Sequence, residues 1–306
     1  MNEAGRDRSG GGLLVVGDVV TDVVARHHGP LWPATDTAAD IRTVPGGAGA
    51  NAACWAAHSG CPDVRLLARV GQDAAGWHDL RLRRSGVRPL LVTDADTPTS
   101  TVIALVDAAT AERTFLTDSG AVTRMNPADW SPGLLDGVAH LHLSGYLLFA
   151  DQSRQLTELA RQSARRAKVT VSLDPASAGF LTDLGIERFL TLTDGTDVLL
   201  PNAAEACLLT GLPEPADAAA KLSRQFPLVV VTLGSAGALV AAAGKTVATV
   251  PAPRAQALDS TGAGDAFTGG FLAARLRGAT PTEAAEAGCR AGALAVTLVG
   301  GRPPVG

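Results

Sequence analysis

The residues best placed to do chemistry lie late in the chain, where residues 259–270 read DSTGAGDAFTGG. A short β-like stretch precedes this run and the apolar, alanine-rich segment 271–276 follows it, so the run reads as a loop opening into a helix. Small residues at Gly262, Ala263 and Gly264 let the backbone come close to a ligand. Amides exposed at a helix start, with the positive end of its dipole, form an anion hole there. Asp265, one position beyond the hole, is repelled by a resting phosphate but is placed to take a proton from a hydroxyl attacking phosphorus. That pairing is the chemistry of phosphoryl transfer. The bland alternative is that the glycines only let a helix pack tightly on a strand, with Asp265 helping to cap it.

Other groups are weaker alone. Residues 13–18 (LLVVGD) are a continuous apolar run ending on Asp18, the pattern of a buried strand that delivers a carboxylate to the sheet edge. Residues 45–53 (PGGAGANAA) begin a second small-residue loop entering a helix. Gly47, Gly49 and Ala52 there spell a dinucleotide fingerprint, but residues 40–44 make a poor parallel strand to precede it. Asn202 and Glu205 in PNAAEA have the spacing of a helix-capping pair. His140 and His142 share a strand face with no third partner for zinc, and His58 and His78 suit a helix surface.

These residues need a scaffold. Apolar runs recur at 65–70, 139–144, 169–174, 198–201 and 228–233, several separated by helix-like stretches such as 153–167 and 216–225. That rhythm predicts βα repeats, a doubly wound, mostly parallel sheet covered by helices on both faces, in one domain over residues 13–306 after a flexible leader, 1–12. Two segments, about 19–44 and 99–116, break the rhythm. In the second, TSTVIALVD and ERTFLT read as the arms of a hairpin. They predict a small β-sheet that covers the site as a lid or pairs with a second subunit in a homodimer.

Composition excludes several classes. The 306 residues are 46% hydrophobic and 18% charged, with net charge −4 and no basic stripe to hold a nucleic-acid backbone. Apolar runs stop short of a membrane span. The four cysteines follow no metal-ligand spacing, and with no export-like apolar segment at the start the expected location is cytoplasmic.

Taken together, these motifs resemble the PfkB, or ribokinase-like, carbohydrate kinase family from Leu13 to about Pro304. Residues 259–270 resemble its C-terminal signature, in which Asp265 would be the base and the backbone of Gly262, Ala263 and Gly264 the anion hole. Residues 45–53 resemble the N-terminal signature, which implies that Gly46, Gly47 and Asn51 hold acceptor hydroxyls, with Asp18 as the carboxylate beside them. One residue more than the pattern allows lies between Gly60 and Gly71, which places it at the turn Cys61-Pro62-Asp63. By the same resemblance Asn202 and Glu205 would orient magnesium and phosphates, partly through water, and Thr232, Gly234 and Gly237 would form the nucleotide loop. Asp259 and Thr261 resemble part of a monovalent-cation site found in some members, which makes potassium a candidate beside ATP and Mg2+. Two positions depart: Cys289, beside Arg290, stands where relatives place Asn or His against adenine, and Pro304 stands where a serine can complete the cation site. The implied function is phosphorylation of a small sugar. A nucleoside kinase and a non-catalytic sensor are the rivals. The expected lid offers only Trp32 and Phe115 to a nucleobase, and the chain has one tyrosine, Tyr146, which leans toward a plain sugar.

Overall fold

The computed structural model describes residues 11–108, 110 and 113–304. Residues 1–10 of the expected leader lie outside the described residues, and Gly12 already belongs to the sheet. The chain enters on β1 (Gly12–Val16), leaves the body for β2 (Val20–His27) and β3 (Ala39–Gly46), and returns through α1 (Ala48–His58) and β4 (Val64–Gly71). After α2 (Ala75–Arg84) and β5 (Val87–Asp94) it leaves again for β6 (Ser100–Asp107) and β7 (Arg113–Asp118). The body resumes with β8 (Val138–Ser144), α3 (Asp151–Ala167), β9 (Thr170–Asp174), α4 (Ala178–Leu184), α5 (Ile186–Leu192), β10 (Val198–Leu199), α6 (Ala203–Thr210) and α7 (Pro215–Leu222). It closes with β11 (Leu228–Thr232), β12 (Ala238–Ala242), β13 (Lys245–Val250), α8 (Ala263–Leu276) and α9 (Pro281–Ala295).

The body sheet has nine strands in the order β13-β12-β11-β10-β9-β8-β1-β4-β5. All pairings are parallel except β11 with β12 and β12 with β13. Every residue of β1 is buried, as a strand flanked on both sides and covered on both faces requires. Alternate residues feed two cores: Leu14 and Val16 join Leu141, Leu143, Leu156 and Phe189 on one face, while Leu13 and Val15 join Leu66, Phe271 and Leu272 on the other. The doubly wound body and all six strands expected from the apolar runs are present. β5 and the hairpin β12–β13 were not foreseen.

The lid is a separate four-stranded sheet, β3-β2-β6-β7, built from both segments that break the βα rhythm. β6 and β7 pair antiparallel, as the hairpin arms predict, and their turn falls partly outside the described residues. Both crossings of the second excursion into the lid are pinned by one largely buried ion network. Arg69 donates to Asp94 at 3.0 Å and Asp129 at 2.6 Å, and Arg124 donates to Asp94 at 3.1 Å. Asp94 stands just before β6 and Arg124 just after β7, so the lid's entry and exit are clamped to the same carboxylate. The turn Cys61-Pro62-Asp63 lies between α1 and β4 and borders neither cavity described below.

Helix α8 is seated through Phe271, which is fully buried against the sheet. Phe271→Ala is expected to cost about 3–5 kcal/mol through lost burial and a residual cavity. Urea unfolding should show the midpoint falling while the slope stays at the wild-type value.

Candidate active site

The strand order reverses at β1, with β4 on one side and β8 on the other, and open α/β sheets bind ligands in the crevice beyond such a reversal. Three carboxylates arrive there on strand ends or just beyond: Asp18 after β1, Asp22 in β2 and Asp174 closing β9. Together with Asp265 they border a cavity of about 310 Å³. A second cavity, about 340 Å³, is bordered by Thr232, Gly234 and Gly237 on one side and by Ala263, Gly264 and Cys289 on the other. The first turn of α8 is the wall between them, with Ala263 and Gly264 facing one cavity and Asp265 the other. A wider groove of about 530 Å³ lies at the opposite end of β9, beside Thr170, and there acids (Glu158, Asp194, Asp197) and bases (Arg161, Arg165, Lys168) balance without any helix start converging on it. The chemistry belongs to the crevice.

Gly262 caps α8 with φ +73°, a left-handed conformation; the Ala263 amide donates to Ser260 O at 3.3 Å, and the Gly264 and Asp265 amides are left without a backbone acceptor among the described residues. Asp265, half-buried in the first turn, accepts a hydrogen bond from Asn51 Nδ2 at 2.8 Å. Burial first, and then the facing Asp174, Asp18 and Asp22, raise its pKa well above the usual carboxylate range, against the opposing pull of Asn51. Asn51, expected to hold acceptor hydroxyls, thus turns its amide to the base, and its Oδ1 is buried without a partner among the described residues.

Asp18 is largely spoken for. Its Oδ2 accepts the Ala48 amide at 2.7 Å, and its Oδ1 accepts the Gly49 amide at 3.1 Å and the Ser144 hydroxyl at 2.9 Å. Three of roughly four acceptor positions on a carboxylate are therefore taken. Gly47 makes this seat possible: its φ is +96°, and a Cβ there would lie 2.5 Å from the Asp18 carbonyl oxygen. Asp22 makes no hydrogen bond among the described residues, and burial and the nearby Asp18 push it up to about 6 against the pull of Arg302. Asp22 was not singled out from the sequence, nor was Asp174, which burial raises to about 6. Asp174 ends a strand just as Asp18 does, so the same strand-end signal was present. Gly46 contributes backbone, its Cα lying against the Asp22 carboxylate.

On the other side, Asn202 and Glu205 form a reciprocal capping box at the start of α6. Glu205 is buried, and burial and Asp174 raise it to about 7. Neither residue borders the two cavities, but Asn202 bridges Thr232, which does. Asp259 accepts the Thr261 and Gly300 amides at 2.9 and 3.0 Å and so shapes the loop before α8. Cys289 borders the second cavity, its thiol pushed up to about 11 by burial, whereas Arg290 lies at the surface near Glu286. His140 and His142 share the Ser172 hydroxyl, and burial keeps both neutral. His78 is not a surface residue: it is 0% exposed, with Nε2 3.0 Å from the Thr21 hydroxyl.

Residues 12–305 match the family described as pfkB family carbohydrate kinase. The chain belongs to the PfkB family. It is 33% identical to a fructokinase of Klebsiella pneumoniae, over 86% of this chain and 84% of that one. It is 30% identical to a ribokinase of Haemophilus influenzae, over 96% and 94%. Among solved structures, aminoimidazole riboside kinase from Salmonella enterica, complexed with its riboside and an ATP analogue, superposes with a TM-score of 0.79 at 26% identity, covering 96% of each chain. This PfkB protein is accordingly an ATP-dependent carbohydrate kinase, a phosphotransferase acting on an alcohol group. None of the helices among its described residues is long and apolar enough to cross a membrane.

Asn51→Ala should lower kcat roughly ten- to a hundredfold by freeing the base from its aimed position, while ATP affinity holds. Because Asn51 lowers the Asp265 pKa, its removal should also move the acidic limb of the kcat profile to higher pH. Rate measurements across pH, with a parallel ATP-analogue titration, check both.

Proposed function

We propose that this kinase transfers the γ-phosphoryl group of ATP to a hydroxyl of a small sugar, as its fructokinase and ribokinase relatives suggest by name. The observation that carries this is the single turn of α8 that separates the two cavities and presents amides to one side and Asp265 to the other. The nucleotide would occupy the cavity of Thr232, Gly234 and Gly237, its terminal phosphate at Gly262, Ala263 and Gly264. The acceptor would occupy the carboxylate-lined cavity. Asp265 takes the proton of the attacking hydroxyl as the new oxygen–phosphorus bond forms and the bond to the ADP oxygen breaks, and the helix-start amides stabilise charge gathering on the equatorial oxygens. Acceptor hydroxyls would donate to Asp22, whose lone pairs are free, and to the remaining position on Asp18.

The residues fit magnesium. Glu205 is buried and Asp174 half-buried, and Asp174 raises the pKa of Glu205, an arrangement a divalent cation relieves. Among the described residues no three ligating side chains cluster tightly enough to cage a metal, so water and phosphate oxygens would complete the shell. When bound, magnesium neutralises phosphate charge; the residues themselves hold the proton and aim the acceptor.

A second reading, a nucleoside acceptor, is favoured by one feature. Tyr146, Phe149 and Phe180 border the acceptor cavity and form a ring cluster, Phe149 and Phe180 tilted with centroids 4.6 Å apart. These rings come from the body rather than the lid, where aromatic residues had been sought. The face of the lid turned away from the cavity carries Ile41 and Leu116, 65% and 54% exposed, beside half-buried Val23, Ile103 and Leu105. A second copy of the chain would cover it.

Asp265→Asn should keep ATP binding yet lose at least about a hundredfold in single-turnover rate, since an amide cannot take the proton. Parent and variant are assayed with D-fructose, D-ribose and adenosine; turnover by the variant within a few-fold of the parent would remove Asp265 from the mechanism. Light scattering checks the dimer: Ile103→Asp should shift the mass from two chains to one, and a monomeric parent refutes the lid interface.

A further inference from the structure

The Asp22 carboxylate packs on the Cα of Gly46, where an added Cβ would lie 2.1 Å from Asp22 Oδ2. The carbonyl of the same glycine accepts a hydrogen bond from Arg302 Nη2 at 3.0 Å. The remaining guanidinium nitrogens, Nε and Nη1, are buried with no partner among the described residues. A guanidinium buried with most of its donors unspent is costly unless a negative charge answers it. His78, the buried titratable group that α2 places beside it, cannot: burial and Arg302 hold its pKa at about 4, so its ring is neutral. The Cys54 thiol on α1 is raised by burial and stays protonated, and Arg81 on α2 is itself a cation that opposes Arg302. Asp22 is left as the answering carboxylate.

The turn that carries Arg302 also touches the rest of the site. Gly301 O accepts the Trp55 indole N–H at 2.9 Å. A Cβ at Gly301 would lie 2.4 Å from Asn51 Nδ2, and one at Gly262 would lie 2.5 Å from the Gly301 Cα. Residues 300–302 are therefore wedged between the anion loop, the partner of the base and the root of the lid.

We infer that Arg302 is a positioning residue for the acceptor: it fixes Gly46 and, across that residue, sets a positive charge beside the Asp22 carboxylate that receives acceptor hydroxyls. This rests on Asp22 meeting the acceptor, as read above. Asp22 faces Asp18 from β1, Asp265 from α8 and Arg302 from the C-terminal turn. The carboxylates favour its protonated form, and Arg302 alone among these charges favours the ionised form. Asp22 loses its charge as pH falls through about 6 in the intact protein. Without Arg302 the lowering influence is gone, so the loss of charge occurs at higher pH.

Carboxyl carbon NMR on selectively labelled protein follows this directly, with the Asp22 signal assigned by its disappearance in Asp22→Asn. Arg302→Met should raise the Asp22 midpoint by about one pH unit, and Arg302→Lys, which keeps the charge, should leave it near the parent value. For whichever of D-fructose, D-ribose or adenosine the parent turns over, Arg302→Met should raise the acceptor KM about twofold at pH 7 and about fivefold at pH 6, with the KM for ATP unchanged. If Arg302→Met does not fold, Arg302→Gln takes its place in both measurements. A midpoint that stays put in the neutral variant overturns the inference whatever the kinetics show. A midpoint that moves while Asp22→Asn leaves the acceptor KM unchanged overturns the reading of Asp22 as the acceptor's partner, and with it the role of Arg302 toward the acceptor.

Discussion

Crowding of carboxylates into one crevice is the constraint around which the rest of the structure is arranged. Asp18, Asp22, Asp174 and Asp265 border a single cavity, and Glu205 lies near enough to be raised by Asp174. Burial and the neighbouring acids oppose ionisation of Asp22, Asp174, Asp265 and Glu205, and a fold holding such a cluster together must supply compensating donors. Asp18 receives two amides from the start of α1 and a hydroxyl from the end of β8. Asp174 receives the Ala176 amide, Asp265 the Asn51 amide, and Asp22 only the field of Arg302. The number of donors falls from Asp18 to Asp22. A carboxylate rich in protein partners holds the scaffold, and one poor in them is available to a ligand.

That gradient explains what could and could not be read from the residues alone. The run at 259–270 was legible because its chemistry is local: a glycine cap, exposed amides and a carboxylate within one helical turn need no tertiary contact to be recognised. The βα rhythm was legible for a similar reason, since buried parallel strands announce themselves as unbroken apolar runs. The division of labour between Asp18 and Asp22 was not. The two lie four residues apart, and only the folding of α1 over the end of β1 shows that Asp18 spends its lone pairs on the Ala48 and Gly49 amides. Asn51 was likewise assigned to the acceptor by resemblance to the family's N-terminal signature, whereas its hydrogen-bond partner, Asp265, is 214 residues away in sequence.

The elements that escaped the sequence reading share a physical cause. β12 is ALVAA, too rich in alanine to signal a strand, and it is held as one by pairing with β11 and β13. Tyr146, Phe149 and Phe180 come from two separate connections and meet only because β8 and β9 are neighbours in the sheet. Arg302 lies in a glycine- and proline-rich tail that reads as an exposed end, yet its side chain turns inward beneath Gly46. In each case a pairing or packing partner distant in the chain overrides the local signal.

The first turn of α8 has two tasks that conflict electrostatically. Amides that stabilise negative charge on a transferring phosphoryl group also stabilise a carboxylate one residue away, and a stabilised carboxylate is a poorer base. Were Asp265 alone at that helix start, the anion hole would weaken it. Burial, helped by Asp174, Asp18 and Asp22, pushes the other way, and the balance leaves Asp265 well above the ordinary carboxylate range. The neighbouring acids therefore keep a proton acceptor effective beside an anion hole. Their cost to stability is accepted at the site and met elsewhere, by the two apolar cores on either face of the sheet.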